Sequence, residues 1–155
     1  DVCFENLQAA PSIEFTEDEL EFAKALQATL SPQTVASKEA LYGVKDCAMA
    51  IETSDRDFWQ RCYMTASTDT GDVSYQMPMS AFTTSCWPVG VVPHTWQAAA
   101  GSGASIGEKG ALHAAYVLAG QAFDFLNHPE LVEKAQKEFD ANQSIQYQSI
   151  LNHFE

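Results

Sequence analysis

The sequence predicts an α/β fold, a single domain in which helices pack on an incomplete sheet. Its 155 residues suffice for one domain with a hydrophobic core. Helical periodicity marks three segments, whereas only two short segments are rich in β-branched and aromatic residues. This order of helix, strands, helix and helix suits a layered α/β architecture. Because the strands are few, the sheet is expected to depend on segments outside this chain.

The first predicted helix follows a capping box. Thr16 is the expected N-cap, and Glu19, three residues later, completes the box. Ser31-Pro32 is expected to end the helix, because the residue before a proline disfavours helical geometry. Apolar residues in between share one face, which indicates a helix on the surface of the domain: Phe22, Ala23, Leu26 and Leu30.

Two segments carry strand signals. Residues 62–66 form a short apolar run that enters a polar turn at 67–72. Residues 81–92 are rich in Val, Thr and aromatic side chains but contain Pro88 and Gly90. The second segment is therefore predicted to be a strand with a bend or a bulge.

Two more helices are predicted towards the end of the chain. Residues 105–108, Ser-Ile-Gly-Glu, indicate a second capping box that opens a helix running to about Leu126. Apolar residues cover most of this helix and leave a narrow polar edge of His113, Gln121 and Asp124, which predicts burial against a sheet or another protein surface. Pro129 is placed as the first residue of the last helix.

The composition argues against several kinds of partner. The formal net charge of −13 disfavours nucleic acid and anionic membranes, because both attract clustered Lys and Arg. No apolar run reaches the roughly 18 residues that a membrane span requires, and no secretory leader is visible. The four cysteines form no C-x-x-C pair and are expected to be reduced thiols in a cytoplasmic protein.

His94 has the strongest case for a function among the histidines. None of the four histidines forms an H-x-H or H-E-x-x-H pattern, but His94 follows the end of a predicted strand, where loops often display functional side chains. Asp72 lies in a turn after the other predicted strand, for which a plain Asx turn is the favoured interpretation. Ser67, His94 and Asp72 suggest a hydrolytic triad on paper, yet no G-x-S-x-G elbow accompanies them.

Three motifs, taken in order, resemble one known family. "STDTGDVSYQMP", "PHTWQ" and "SIGEKGALHAA" are similar to the C-terminal part of the metal-dependent aminoacylase/carboxypeptidase family of amidohydrolases. The stretch "APSIEFTEDELEFAKALQ" resembles the segment where that family's chain returns from an inserted lid domain, so residues 1–10 are expected to be a remnant of that return. The resemblance spans about residues 10–139. It implies that residues 1–155 are one segment, the C-terminal half of a three-layer α/β/α, zinc-peptidase-like catalytic domain.

The resemblance also implies an activity. Members of the family hold two divalent metal ions, zinc or manganese, and hydrolyse the amide of a small N-acyl amino acid or dipeptide, such as p-aminobenzoyl-glutamate. His94 matches the family's last metal ligand, and Asp72 matches an aspartate of the loop that lines the substrate pocket. Lys109 and Gly110 match a Lys-Gly pair at the start of the closing helix, where helix capping and close packing explain them. Glu108 stands where the family often has His.

The family's remaining ligands are missing from this chain. They come from an H-x-D motif and a Glu-Glu pair, and neither matches a part of this sequence. One credible ligand cannot hold a two-metal site. The isolated chain is therefore expected to bind no metal and to be inactive, and no catalytic residue is assigned within it.

Two other interpretations stay open. A stand-alone, non-catalytic module would act through self-association or protein binding, and an exposed apolar surface on the 105–126 helix would favour it and would also make the chain a homo-oligomer. Alternatively, the chain is an unrelated small α/β domain whose motif matches are accidental.

Overall fold

Seven α-helices form the part of the chain that the structure describes. The computed structural model describes residues 1–46, 48–49, 68–143 and 147–148. The helices are α1 (Val2–Ala9), α2 (Glu17–Gln27), α3 (Pro32–Tyr42), α4 (Thr70–Ser74), α5 (Trp96–Ser102), α6 (Ser105–Asn127) and α7 (Pro129–Asn142). Within the described ranges α6, with 23 residues, packs against α1, α5 and α7, while α2 packs against α5. The helix α6 is therefore the centre of the arrangement.

The predicted α/β fold is wrong. The described ranges contain helices and irregular segments but no β-strand, so this is not the C-terminal portion of a three-layer α/β/α domain with an incomplete sheet. Of the two predicted strands, residues 81–92 are irregular. Residues 62–66 lie outside the described part.

Hydrogen bonding explains why residues 81–92 form no strand. Val89 donates its backbone N–H to the carbonyl of Ala48 (2.8 Å), which is one strand-like contact. Pro88 has no N–H to donate, and the N–H of Val91 turns back to the carbonyl of Pro88 (3.1 Å). No ladder can continue through this stretch. Side chains that suit a strand favour it only where a partner strand is present.

One of the two predicted capping boxes is confirmed. The Thr16 hydroxyl accepts from the N–H of Glu19 (3.3 Å), and the Glu19 carboxylate accepts from the N–H of Thr16 (2.7 Å). The second box is wrong, because Ala104 is the N-cap of α6 and Ser105 is its first helical residue. The Ser105 hydroxyl bonds the Glu19 carboxylate instead.

Two prolines begin helices. Pro129 is the first residue of α7, as the sequence predicts, since its fixed φ suits the first turn and its missing N–H costs nothing there. Ser31-Pro32 has a role that the sequence interpretation missed. The helix α2 has already ended at Gln27, and the Ser31 hydroxyl accepts from the N–H of Thr34 (3.1 Å) to cap α3.

The helix α6 turns its polar edge inwards. His113 and Gln121 are buried, although the apolar stripe was expected to be the buried side. Asp124 accepts from the side chain of Asn6 (2.6 Å), which ties α6 to α1. Glycines on the same side let neighbouring segments approach closely. The buried residues of α6 are Ile106, Gly107, Gly110, His113, Val117 and Gln121.

His113 is expected to lower the stability of the fold as the pH falls below neutral. Its ring is buried, its Nδ1 has no partner among the described residues, and desolvation lowers its pKa below the ordinary 6.5. The unfolded chain therefore binds this proton more readily than the folded chain. Stability is present above pH 6.5 and is lost as the pH falls below it.

Urea unfolding at several pH values measures this effect. We expect His113→Leu to flatten the dependence of the unfolding free energy on pH below 6.5. The exposed His128, changed to Gln, is the matched control and should keep the wild-type dependence. A His113→Leu protein that loses stability with falling pH as steeply as the wild type would contradict this role.

Candidate functional site

His94 lies at the exposed tip of a loop whose base is buried. Gly90 turns the chain with φ of +99°, and its neighbours Leu30 and Val35 stand 3.1 and 3.2 Å from where a Cβ would be. A residue with a side chain would be strained here, because the positive φ disfavours it and because Leu30 and Val35 leave little room for a Cβ. The loop is therefore anchored at Gly90 and exposes the residues that follow from Val92 to His94.

The backbone of His94 is held in an uncommon conformation. Its φ of +63° is in the left-handed region, which non-glycine residues seldom adopt. The next residue, Thr95, fixes it there. Its hydroxyl donates to the carbonyl of Val92 (2.8 Å) and accepts from the N–H of Ala98 (3.2 Å), capping α5. Strain of this kind often marks functional positions, and His94 is presented to solvent with no hydrogen-bond partner among the described residues.

No metal site is assembled around His94 in the described residues. Within them no three His, Cys, Asp or Glu side chains group together in a way that could hold a metal ion. A single exposed imidazole does not fit a site for two metal ions, which needs several ligands. Any such site would have to take its other ligands from outside the described residues.

Asp72 is in contact with the C-terminal segment rather than with His94. It lies exposed on the short helix α4, and the Tyr147 hydroxyl donates to its carboxylate. The ring of Tyr147 stacks on that of Tyr75 at 5.2 Å between centroids, and the Gln143 side chain donates to the carbonyl of Tyr75 (3.0 Å). No hydrogen bond or ion pair within the described ranges joins Asp72 to His94. The third member of the suggested triad, residue 67, lies outside those ranges.

Lys109 belongs to a structural network between α6 and α2. Its Nζ donates to the Glu19 carboxylate (2.6 Å) and to the carbonyl of Glu14 (2.8 Å), and it lies 5.9 Å from the centre of the Phe15 ring. Hydrogen bonds from Lys109, Thr16 and Ser105 lower the pKa of Glu19 to about 2. Sequence reasoning missed this pair because its partners are 90 residues apart.

Glu19→Gln is expected to destabilise the protein at neutral pH and to matter less in acid. The folded pKa of Glu19 is about 2 against 4.5 for the free side chain, so the stabilisation is present above pH 4.5 and is lost as the pH falls towards 2. Urea unfolding of wild type and variant should give midpoints that differ at pH 7 and converge in acid. Glu17→Gln, on the exposed side of the same first turn, is the control and should change little. If the urea midpoints of wild type and Glu19→Gln differed by the same amount at every pH, the Glu19 carboxylate would not be the stabilising group.

Gly110 permits a close contact that supports the packing interpretation of the Lys-Gly pair. A Cβ on Gly110 would stand 2.4 Å from the carbonyl oxygen of Ser85 and 2.7 Å from the Cys86 sulfur. The Thr84 hydroxyl donates to the carbonyl of Gly110 (3.0 Å). The segment before the His94 loop is therefore fastened directly to α6.

A cavity of about 510 Å³ lies between α1, the end of α6 and α7. Its wall is mainly apolar, with Phe125, Leu131 and Phe139, and Lys134 pairs with Asp1 at its edge (3.3 Å). Neither His94 nor Asp72 lines this cavity. The cavity is therefore separate from both predicted site residues.

Two further features concern the hydropathy of the helices and the state of the cysteines. None of the described helices combines the length and the apolar character of a membrane span. Cys3 and Cys86 are free thiols, and burial raises the pKa of the Cys3 thiol, partly offset by hydrogen bonds with Ser80 and Gln121. The half-buried Cys3 thiol therefore ionises less readily than an exposed thiol.

Comparison with known proteins confirms the resemblance that the motifs indicated: the chain is similar to part of a hydrolase. That relative is one of the subunits of the p-aminobenzoyl-glutamate hydrolase of Escherichia coli (strain K12), with 30% identity over 138 residues. The match covers 81% of this chain but 28% of the relative, so the chain spans little more than a quarter of the relative's length. No protein-family profile matches the chain. No solved structure matches it either.

Proposed function

We propose that this chain is the C-terminal segment of a two-metal amidohydrolase that cleaves the amide of an N-acyl amino acid such as p-aminobenzoyl-glutamate. The similarity to a hydrolase subunit supports this, as does the resemblance of the three motifs in this sequence to the family. The segment alone is inactive, because it carries one metal ligand and no catalytic base.

His94 is the metal ligand in this proposal, and its loop is the observation that carries it. An exposed imidazole on a strained backbone, fixed on one side by Gly90 and on the other by the cap of Thr95, is free to bind a metal ion without rearrangement of the loop. The other ligands would come from the H-x-D and Glu-Glu motifs of a preceding segment. Two zinc or manganese ions held by His94 and these ligands would supply a hydroxide nucleophile and would polarise the amide carbonyl.

Asp72 has the substrate-side role. Its exposure on α4 leaves one carboxylate oxygen for a polar group of the substrate, while the Tyr147 hydroxyl occupies the other. The substrate is a small N-acyl amino acid or dipeptide. The protein acts in the cytoplasm, and the free thiols of Cys3 and Cys86 support this location.

The reading frame upstream of residue 1 tests the assignment. An in-frame region that encodes an H-x-D motif and, beyond it, a Glu-Glu pair is the expected result. A gene product that starts at residue 1, with no such region translated before it, would rule out the hydrolase and leave a stand-alone module.

A further inference from the structure

The C-terminal segment of the described chain contacts α4 and the residue that follows it. The Tyr147 hydroxyl donates to the carboxylate of Asp72, and the Gln143 side chain donates to the carbonyl of Tyr75 (3.0 Å). The rings of Tyr75 and Tyr147 stack with their planes 10° apart and their centroids 5.2 Å apart. Polar and aromatic contacts therefore join this segment to residues 68 and 75 positions earlier in the chain.

The helix α4 gives Asp72 little support of its own. It has five residues, and its N-cap Asp69 forms no capping hydrogen bond with its side chain. Helices this short are marginal in water unless other parts of the protein hold them. Asp72 is exposed, as are its neighbours Gly71 and Val73. Without an external partner, its carboxylate would rotate among several rotamers.

We propose, on the basis of the proposed function, that Tyr147 is a positioning residue that orients the Asp72 carboxylate to bind an N–H donor of the substrate. A hydroxyl that donates to a carboxylate forms a charge-assisted hydrogen bond, which is stronger than a bond between neutral groups. The stack on Tyr75 fixes the ring of Tyr147, so its hydroxyl lies at a defined point. One oxygen of Asp72 is thereby held by Tyr147, and the other faces the substrate.

The chemistry of the second oxygen defines the group that it binds. A carboxylate accepts hydrogen bonds and donates none, so it favours an N–H of the substrate and repels the carboxylate of the amino-acid part. Within the described ranges no hydrogen bond or ion pair joins Asp72 to the proposed metal ligand His94. We therefore assign Asp72 to a donor away from the cleaved amide, namely the aromatic amine of an aminobenzoyl group. This contact strengthens substrate binding and takes no part in the cleavage.

Steady-state kinetics of the complete protein test this role. Tyr147→Phe keeps the ring that stacks on Tyr75 and removes the hydroxyl that donates to Asp72. We expect KM for p-aminobenzoyl-glutamate to rise about fivefold to tenfold, the range for the loss of one hydrogen bond, with kcat unchanged. Benzoyl-glutamate, which lacks the amine, should have the same KM with both proteins. In an Asp72→Ala background, Tyr147→Phe should have no further effect on KM, because Tyr147 acts through Asp72.

Tyr116→Phe is the matched control, because it removes the hydroxyl of another exposed tyrosine, on α6, which makes no hydrogen bond within the described part of the chain. It should keep the wild-type KM. NMR of the 155-residue chain provides a measurement that needs no activity. Contacts between the rings at positions 75 and 147 should be present both in the wild type and in Tyr147→Phe.

Several results would overturn this role of Tyr147. One is an unchanged KM in Tyr147→Phe, and another is a lower KM, which would mean that Tyr147 shields Asp72 from the substrate. An equal rise in KM for benzoyl-glutamate, or an absence of ring contacts in the 155-residue chain, would also contradict it. Each of these results leaves the proposed function intact as long as the complete protein hydrolyses the amide. If the wild-type complete protein hydrolyses no N-acyl amino acid, the proposed function is wrong and the role of Tyr147 falls with it.

Discussion

Gly110→Ala is expected to lower the free energy of unfolding by about 1–3 kcal/mol, the usual cost of overpacking a filled interior. In an ordinary helix this change would stabilise by about 1 kcal/mol, because alanine is the better helix former. Here the new Cβ would stand 2.4 Å from the backbone oxygen of Ser85 and 2.7 Å from the sulfur of Cys86. The oxygen belongs to the backbone, so the segment before the His94 loop must move away from α6.

Gly71→Ala is the control for Gly110→Ala. Gly71 is also helical, and nothing lies within 4 Å of where its Cβ would stand. Its replacement should leave stability unchanged or slightly raised. Urea unfolding followed by circular dichroism gives both values. A Gly110→Ala protein as stable as the Gly71→Ala protein would mean that the segment at residues 84–86 does not lie against α6.

Under the proposed function, His94→Asn is expected to reduce the turnover of the complete protein by at least about a hundredfold, more than is usual for residues that only support a metal ligand. Asparagine tolerates the left-handed backbone that His94 adopts, so the loop should keep its shape while the imidazole is lost. Metal content measured on the purified complete protein should fall together with turnover. Thermal stability without metal should stay near the wild-type value, because the side chain is exposed.

His128→Gln is the control for His94→Asn, since it removes another exposed histidine, whose side chain pairs with Glu130. It should keep full metal content and turnover. Full metal content and turnover in the His94→Asn protein would exclude His94 as a ligand, and an equal loss in both variants would show that neither loss is specific.

Local sequence signals predicted two helix starts correctly. The Thr16–Glu19 box and Pro129 act over three or four residues of the chain, so the sequence carries all the information that decides them. The extent of α6 was also predicted closely, from 105 to about 126 against Ser105–Asn127 in the structure.

The side of α6 that is buried could not be predicted in the same way. Apolar residues cover most of the helix, and the periodicity does not show that its narrow polar edge faces inwards. The glycines decide which side is buried. Gly107 lets the backbone of Ser102 approach the helix, and Gly110 lets the backbone of Ser85 approach it. The larger apolar residues remain on the exposed side. His113 and Gln121 are buried with the glycines because they share that arc of the helix.

The strand prediction failed because a strand depends on its partner. Residues 81–92 have the composition of a strand, but Pro88 and the backward bond of Val91 prevent a ladder within the described part of the chain. His94 and Asp72 were assigned through the resemblance and stay predictions, and the sequence offered no partners for them, since a ligand set is assembled from distant segments. Lys109 illustrates the same limit, because only the folded chain brings it to Glu19.

The hydrolysis of p-aminobenzoyl-glutamate by the complete gene product tests the central claim most directly. We predict that the complete protein releases glutamate from this amide, that a chelator abolishes the activity, and that zinc or manganese restores it. The 155-residue chain assayed alone should release none. If the complete, metal-loaded protein cleaves neither this amide nor another N-acyl amino acid, the proposed function is wrong.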